Sequence, residues 1–188
     1  MENKVVILSA PSGSGKTTLL RALMARQLPL EFSVSATSRA RRAGEVDGKD
    51  YYFFTPEQFK EKVDQEAFLE WNEVYPGQYY GTLLSEVDRI ARNGRHVIFD
   101  VDVAGGLSIK QRFGERALAV FVMPPSMEVL RQRLLSRGTE TPESVEKRLY
   151  RADYEISFAK RFDYVLVNDS LETAIQEAYT LISGFLRQ

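Results

Sequence analysis

Residues 9–18 form a glycine-rich segment, Ser-Ala-Pro-Ser-Gly-Ser-Gly-Lys-Thr-Thr, that could bind a phosphate group. It follows an apolar run at 5–8 and opens a helical pattern at about 15–27. Glycines let backbone N–H groups turn inward around a phosphate, and a helix N-terminus adds positive potential at the same point. The phosphate-loop pattern G-x-x-x-x-G-K-[ST] is intact except at its first position, where Ala10 replaces glycine. The segment therefore predicts a nucleoside triphosphate site.

Side-chain chemistry predicts the roles within this loop. Lys16 can reach the β- and γ-phosphates, and the Thr17 hydroxyl can hold Mg²⁺. Asp100 lies near the carboxyl end of a second apolar run, at 96–102. A carboxylate there could bind the water shell of Mg²⁺, although an aspartate at that point can also cap a helix. We assign the metal to Thr17 and Asp100. The predicted ATP-binding residues of the loop are Ser12, Gly13, Ser14, Gly15, Lys16, Thr17 and Thr18.

A second candidate site is a basic loop that follows the first helical pattern. Three arginines fall within 39–42, next to a group of hydroxyl residues within 35–38. Arginine forks match the geometry of a dianionic phosphate, so the loop is suited to binding such a group. From its residues alone, the loop could equally be a solvated basic surface.

Six motifs, in order along nearly the whole chain, closely resemble those of the guanylate kinase family. They are S-x-T-S-R-x-R-R-x-G-E-x-x-G-x-D-Y at 35–51, F-L-E-W at 68–71, Y-Y-G-T at 79–82, D-V-D at 100–102, R-G-T-E-T at 137–141 with Arg148 downstream, and V-N-D at 167–169. The departures are local: Arg41 stands where the family has proline, Ser38 replaces a threonine and Ala104 replaces a glutamine. The resemblance implies ATP-dependent phosphorylation of GMP, and of dGMP, in purine nucleotide metabolism.

The resemblance also implies an acceptor site. The expected GMP-binding residues are Ser35, Arg39, Arg42, Glu45, Tyr51, Glu70, Tyr80, Thr82, Asp100 and Asp102. The arginines and tyrosines among them hold the phosphate, and Glu45 helps to align the arginines. Guanine presents N1–H and N2–H₂ donors beside the O6 acceptor, which suits two carboxylates and two hydroxyls. Adenine would present an acceptor at N1, and each buried mismatch costs about 1–3 kcal/mol.

For the transfer step, the resemblance implies direct in-line attack without a phosphoenzyme. Lys16 and three arginines of the lid side, Arg133, Arg137 and Arg148, are expected to gather around the transferring phosphoryl group. Asn168 is expected to contact adenine. Mg²⁺ enters with ATP as the cofactor, and closure of a lid is expected to exclude water.

These residues require a scaffold in which strands and helices alternate. Apolar strands are predicted at 5–8, 96–102, 117–122 and 164–167, and helices at about 15–27, 83–93, 104–113, 126–136, 142–160 and 171–187. Apolar strands joined by helices indicate an α/β fold of P-loop NTPase type, with a parallel sheet flanked by helices.

The alternation of strands and helices is interrupted twice within what we expect to be one domain of 188 residues. Short strand-like runs predict a small mixed β insertion for GMP at 32–82, and a polar segment predicts a helical lid region at 126–159. The core then comprises 1–31, 83–125 and 160–188. Phe68, Leu69 and Trp71 are predicted to pack in the interior.

Composition narrows the function further. With 25 basic and 26 acidic residues the net charge is −1, which argues against a general nucleic-acid binder. The chain has no cysteine, so disulfides and thiolate metal sites are excluded. No signal-like segment and no run of about 20 apolar residues is present, so we expect a soluble, cytoplasmic protein without membrane partners. The sequence leaves the oligomeric state open.

Two alternatives remain at this point. Another small-molecule kinase of the same fold, such as an adenylate or thymidylate kinase, would need a different base pocket from the one at Glu70 and Asp102. A guanylate-kinase-like scaffold domain that binds phosphopeptides would have lost the phosphate loop, whereas Gly15, Lys16 and Thr17 are present here. Turnover with different nucleotide acceptors would distinguish all three.

Overall fold

The computed structural model describes residues 3–136 and 141–188 and alternates strands with helices. In chain order, its helices and strands are β1 Val5–Ser9, α1 Lys16–Met24, β2 Leu30–Phe32, β3 Ala36–Thr37, β4 Tyr52–Phe53, α2 Pro56–Asp64, β5 Phe68–Tyr75, β6 Gln78–Leu83, α3 Leu84–Arg92, β7 His96–Asp100, α4 Val103–Phe113, β8 Ala117–Met123, α5 Met127–Leu135, α6 Pro142–Ser157, β9 Tyr164–Val167 and α7 Leu171–Arg187.

The main sheet has five parallel strands in the spatial order β2-β7-β1-β8-β9. Helices cover both faces, so every residue of the central strand β1 is buried. Alternate side chains of that strand point to opposite faces. Val6 and Leu8 join a core with α1 and α7, whereas Val5 and Ile7 join a core with α3 and α4. The predicted α/β fold is therefore confirmed.

The insertion forms a second sheet in the order β4-β3-β6-β5, which also packs against a helix. That helix, α2, was not predicted, since we expected strands alone. Its start has a capping box between Thr55 and Gln58, with proline at the first helical position. Phe59 is fully buried and stacks on Phe68 with 4.4 Å between ring centroids. A helix thus closes the small core of the insertion.

Two further details differ from the sequence prediction. The insertion was predicted to begin at residue 32, but Phe32 is the last residue of β2, which pairs with β7 of the main sheet. Phe68 and Leu69 are buried as predicted, but the prediction for Trp71 was wrong, because its side chain is 44% exposed. Beyond the first three residues of β5, exposed residues alternate with partly buried ones, so one face of that strand is open to solvent.

Glu86 links the insertion to the main body. It is buried at the start of α3, where one carboxylate oxygen accepts from the Val34 backbone N–H at 3.1 Å. The other oxygen accepts from the Tyr52 hydroxyl and from the Arg89 guanidinium, both at 2.8 Å. The carboxylate therefore links the segment that follows β2, through Val34, to β4 and α3.

The predicted lid region contains two helices with a small core of their own. Leu130 and Leu134 of α5 pack against Val145 and Leu149 of α6. The α6 helix begins at a Thr141 N-cap, whose hydroxyl accepts from the Ser144 backbone N–H at 3.2 Å. Over the described ranges, none of the helices is long and apolar enough to cross a membrane. The division into core, insertion and lid stays a prediction.

Candidate active site

A cleft of about 360 Å³ lies where β1 and β7 end, between the phosphate loop, the insertion and α6. Ligands bind at this edge of open parallel sheets because the carboxyl ends of neighbouring strands and helix N-termini meet there. The predicted site residues that line the cleft are Ser12, Gly13, Gly15, Lys16, Thr17, Thr18, Ser35, Tyr51, Glu70, Tyr80, Asp100, Asp102 and Arg148. Residues from distant parts of the sequence thus converge on one space.

The phosphate loop has the backbone geometry that its glycines predict. Gly13 and Gly15 have φ values of 98° and 89°, a region that residues with a side chain rarely adopt. The Ser14 side chain is buried within the loop and Asn168 is buried behind it, so neither lines the cleft. The Asn168 amide donates to the Ser14 carbonyl at 2.7 Å. The Asn168 side chain supports the loop in this way, and its contact with adenine stays a prediction.

The loop lysine is held by the neighbouring strand end. The Lys16 ammonium forms an ion pair with Asp100 and donates to the Val101 carbonyl at 2.9 Å. Thr17 lines the same part of the cleft. Among the residues that the structure describes, no cluster of three or more His, Cys, Asp or Glu could hold a metal by itself. One hydroxyl and one carboxylate suit a Mg²⁺ that arrives already bound to phosphates.

Glu70 is the most perturbed carboxyl of the cleft. It is 9% exposed and accepts a hydrogen bond from the Thr82 hydroxyl at 2.7 Å. Burial raises the pKa of Glu70 to about 7, with the nearby charge of Asp102 adding to the effect. Gly105 leaves room for this carboxyl, since a Cβ at that position would lie 2.7 Å from Glu70 Oε2. Thr82 itself is fully buried behind Glu70.

Asp102, rather than Asp100, caps the helix that follows β7. Its Oδ1 accepts from the Gly105 backbone N–H at 2.8 Å, at the start of α4. Its Oδ2 lies 3.8 Å from a nitrogen of the Arg151 guanidinium. The two carboxyls expected to recognise guanine, Glu70 and Asp102, therefore lie on different elements and meet at Gly105.

The basic loop is organised by one ion pair. Arg39 donates to both oxygens of Glu45, at 2.5 and 2.8 Å, and this contact lowers the pKa of Glu45 to about 2. The guanidinium also lies over the Tyr51 ring, 5.0 Å from its centroid. Burial, followed by the charge of Asp100, raises the pKa of Tyr51 and keeps its hydroxyl protonated. The Arg42 side chain is exposed, and Arg39, Arg42 and Glu45 do not line the cleft.

The predicted lid-side arginines occupy three different situations. Arg148 donates to the Ser12 hydroxyl at 2.8 Å and so reaches the phosphate loop. Arg133 donates to the Asn168 carbonyl at 3.0 Å and does not line the cleft. Arg137 lies outside the described residues. The catalytic roles of all three stay predictions.

Several residues that line the cleft were not predicted from the sequence. Arg151 and Glu155 of α6 lie opposite the end of β5, which contributes Asn72 and Tyr75. Arg151 follows Arg148 by three positions, a spacing that places both on one helical face. That spacing was a usable signal, but no sequence pattern indicates that this face meets β5.

Comparisons with known proteins agree with this geometry. The family model described as guanylate kinase matches residues 2–184. A guanylate kinase of Bacteroides fragilis is 50% identical, with 98% of this chain and 91% of the relative covered. One from Porphyromonas gingivalis is 48% identical, with 97% and 98% covered.

A solved structure shows the same likeness in three dimensions. The crystal structure of guanylate kinase from Anaplasma phagocytophilum superimposes with a TM-score of 0.79 at 30% identity, covering 97% of this chain and 85% of that one. The fold, the ordered motifs and the whole-length match agree. The chain belongs to the guanylate kinase family.

Proposed function

We propose that the protein transfers the γ-phosphoryl group of ATP to GMP, giving ADP and GDP, by direct in-line attack. The observation that carries this proposal is the convergence of Glu70 and Asp102 in a cleft that is continuous with the phosphate loop. The loop supplies a site for the donor, and the two carboxyls supply a base pocket for the acceptor. Family membership supports the same reaction.

Guanine recognition rests on matched hydrogen-bonding groups. The carboxylates of Glu70 and Asp102 accept from N1–H and N2–H₂, and the Ser35 hydroxyl serves the O6 side. Thr82 is buried and donates its one hydroxyl proton to Glu70, so its role is to orient that carboxyl. Adenine would place its N1 lone pair against a carboxylate, and a buried unsatisfied group costs about 1–3 kcal/mol. The pocket therefore selects guanine over adenine.

The protonation state of Glu70 makes acceptor use depend on pH. With a pKa of about 7, this carboxyl is largely protonated in the free protein below neutral pH. Guanine N1–H and N2–H₂ need an acceptor, so the ionised form binds the base. The value of kcat/KM for GMP should accordingly rise with pH and level off above about pH 7.

The acceptor phosphate is held from the insertion. Arg39 and Arg42 supply charge-assisted donors, and the Tyr51 and Tyr80 hydroxyls complete the set. Glu45 holds the Arg39 fork in a fixed orientation, at 2.5 and 2.8 Å. Asp100 lies between this site and the phosphate loop.

At the point of transfer, the protein neutralises charge and positions the two substrates. Lys16 exchanges its ion pair with Asp100 for the phosphates of ATP, and Arg148 approaches from α6. We also assign Arg133 and Arg137 to this group, after a lid movement. Thr17 and Asp100 would hold Mg²⁺, which neutralises phosphate charge when bound.

A coupled assay of ADP release with several acceptors tests this function. GMP should be the preferred substrate and dGMP should also react, whereas AMP, dTMP and UMP should give turnover at least about 100-fold lower, as expected for two mismatched groups. Preferred turnover of another monophosphate would assign the protein to a different kinase class. Absence of turnover with every acceptor would favour a binding domain without activity.

A further inference from the structure

Arg151 joins three parts of the molecule through one side chain. Its Nη1 donates to the Val74 carbonyl of β5 at 2.9 Å, and its guanidinium lies over the Tyr75 ring, 5.2 Å from the centroid. Its Nη2 lies 3.8 Å from Asp102 Oδ2, and its Nε donates to Glu155 at 2.9 Å. The insertion, the start of α4 and the lid helix α6 therefore meet at this guanidinium.

Glu155 fixes the orientation of Arg151. Both residues belong to α6 and are four positions apart, so they lie on the same helical face. Glu155 is 8% exposed, and its burial makes an unpaired charge there costly. The pair keeps the guanidinium pointed towards β5 and Asp102 rather than into solvent.

The partners of Arg151 belong to the proposed acceptor pocket. Asp102 is one of the two carboxyls assigned to guanine, and Val74 lies four residues after Glu70 on the same strand. A ligand that orders β5 and the Asp102 carboxylate therefore orders the groups that hold Arg151. Arg148, which approaches the phosphate loop, lies one turn earlier on the same helix.

We propose that Arg151 is a positioning residue through which occupation of the acceptor pocket is transmitted to the lid helix α6 and to Arg148. This inference rests on the proposed function. A ligand shifts a conformational equilibrium only through contacts that differ between the two states. GMP contacts β5 and Asp102. Because Arg151 connects both of these to α6, a ligand that orders them favours one position of α6.

Steady-state kinetics give the first test. Arg151→Ala should raise KM for GMP about tenfold and lower kcat, while KM for ATP stays within about twofold. The variant loses the partly exposed contacts of the guanidinium with Asp102 and the Val74 carbonyl, which lie on the acceptor side. Arg151→Lys keeps the charge near Asp102 and one donor, so it should recover part of the loss. The matched control is Arg131→Ala, which removes an arginine of α5 that pairs with Glu146 at the surface.

Fluorescence energy transfer separates coupling from simple affinity. The protein has no cysteine, so Asp64→Cys on α2 and Lys147→Cys on α6 can carry two dyes at exposed positions. Saturating GMP should change the transfer efficiency, and Arg151→Ala should remove at least about half of that change. A full change at saturation in this variant would overturn the inference.

The outcomes for the inference and for the proposed function are distinct. If the unsubstituted protein turns over GMP and Arg151→Ala has the same KM for GMP, only the positioning role is wrong. An equal rise in KM for GMP and for ATP, together with a lowered thermal midpoint, would also overturn it, because that result indicates general destabilisation. If the unsubstituted protein does not phosphorylate GMP, the proposed function fails, and the inference fails with it.

Discussion

The two halves of the cleft are built in different ways. The phosphate loop is one continuous segment between β1 and α1, shaped by its backbone and supported from behind by Asn168. The acceptor half is assembled from side chains of several elements, including Glu70 on β5, Thr82 on β6 and Asp102 at the start of α4. One half is a local structure, whereas the other exists only after long-range packing.

This difference has consequences for how each half responds to substitution. In the loop, we propose that one charged side chain, Lys16, acts on the reacting phosphate, so removing it should affect turnover directly. In the acceptor half, each side chain is held by others, so changing one displaces its neighbours. Substitutions in the two halves should therefore differ in which substrate and which property of the protein they affect.

Lys16→Ala should reduce kcat by about 100- to 1,000-fold, because a preorganised positive charge at the transferring phosphate is lost. The fold should be retained, since the side chain is at the surface of the cleft and its partner Asp100 is also partly exposed. Turnover is measured by coupled assay and folding by circular dichroism. Lys147→Ala, on the exposed face of α6, is the control. A folded Lys16→Ala variant with normal kcat would show that the loop does not act on the transferred group.

Glu70→Gln should lower kcat/KM for GMP by about 100-fold, because an amide donor then faces the donors of guanine. It should also change stability in a pH-dependent way. The folded-state pKa of about 7 lies above the usual 4.5, so the free protein loses stability as pH rises from about 4.5 to 7, by about 3 kcal/mol in total. The glutamine variant does not titrate in this range, so its free energy of unfolding should increase relative to that of the parent as pH rises.

Urea unfolding at pH 5 and pH 8 measures this second effect. The free energy of unfolding of Glu70→Gln minus that of the parent should be more positive at pH 8 than at pH 5. Glu61→Gln, at an exposed position of α2, should show no such change. A constant difference between the two pH values would contradict the raised pKa.

Gly105→Ala should raise KM for GMP about tenfold, because its Cβ would meet Glu70 Oε2 at 2.7 Å and Asp102 Oδ1 at 3.2 Å. Gly184→Ala is a matched control in α7, where nothing lies within 4 Å of the added carbon. The control should keep its kinetics and gain about 0.5–1 kcal/mol from helix propensity. Unchanged KM in Gly105→Ala would mean that the two carboxyls can shift without losing guanine.

Asn168→Ala should change kinetics least, by a few-fold in KM for ATP, while lowering stability by about 1–3 kcal/mol. The variant removes the buried amide that donates to the Ser14 carbonyl. KM for GMP should stay the same, because the acceptor half does not depend on this contact. Thermal unfolding and substrate titrations give both values, and an altered KM for GMP would contradict the independence of the two halves.

The same contrast explains what could be predicted from the sequence. The phosphate loop and four strands of the main sheet, β1, β7, β8 and β9, have local patterns, so their places in the fold were predicted correctly, whereas β2 was not predicted in that sheet. Helix α2 also has a local signal, the Thr55 capping box with Pro56, although the short runs around it predict strands. Glu70 was found through the family motif alone, because an acidic residue beside Trp71 gives no sign of burial.

Arg151 and Glu155 could not have been assigned from spacing. Their four-residue separation fits any exposed helical ion pair, and only the packing of α6 opposite β5 gives them a different role. Burial of Glu155 likewise depends on that long-range arrangement. Residues whose function arises from contact between distant elements leave no local pattern.

The Glu86 junction has a consequence for hydrogen exchange. Its carboxylate holds the Val34 amide in a buried hydrogen bond, where the chain passes from the main sheet to the insertion. The exposed segment from Arg41 to Gly44 lies only a few residues further along. Amide protection should therefore fall steeply over that short distance. The Val34 amide should exchange as slowly as those of the main sheet, whereas amides from Arg41 to Gly44 should exchange without unfolding of the protein.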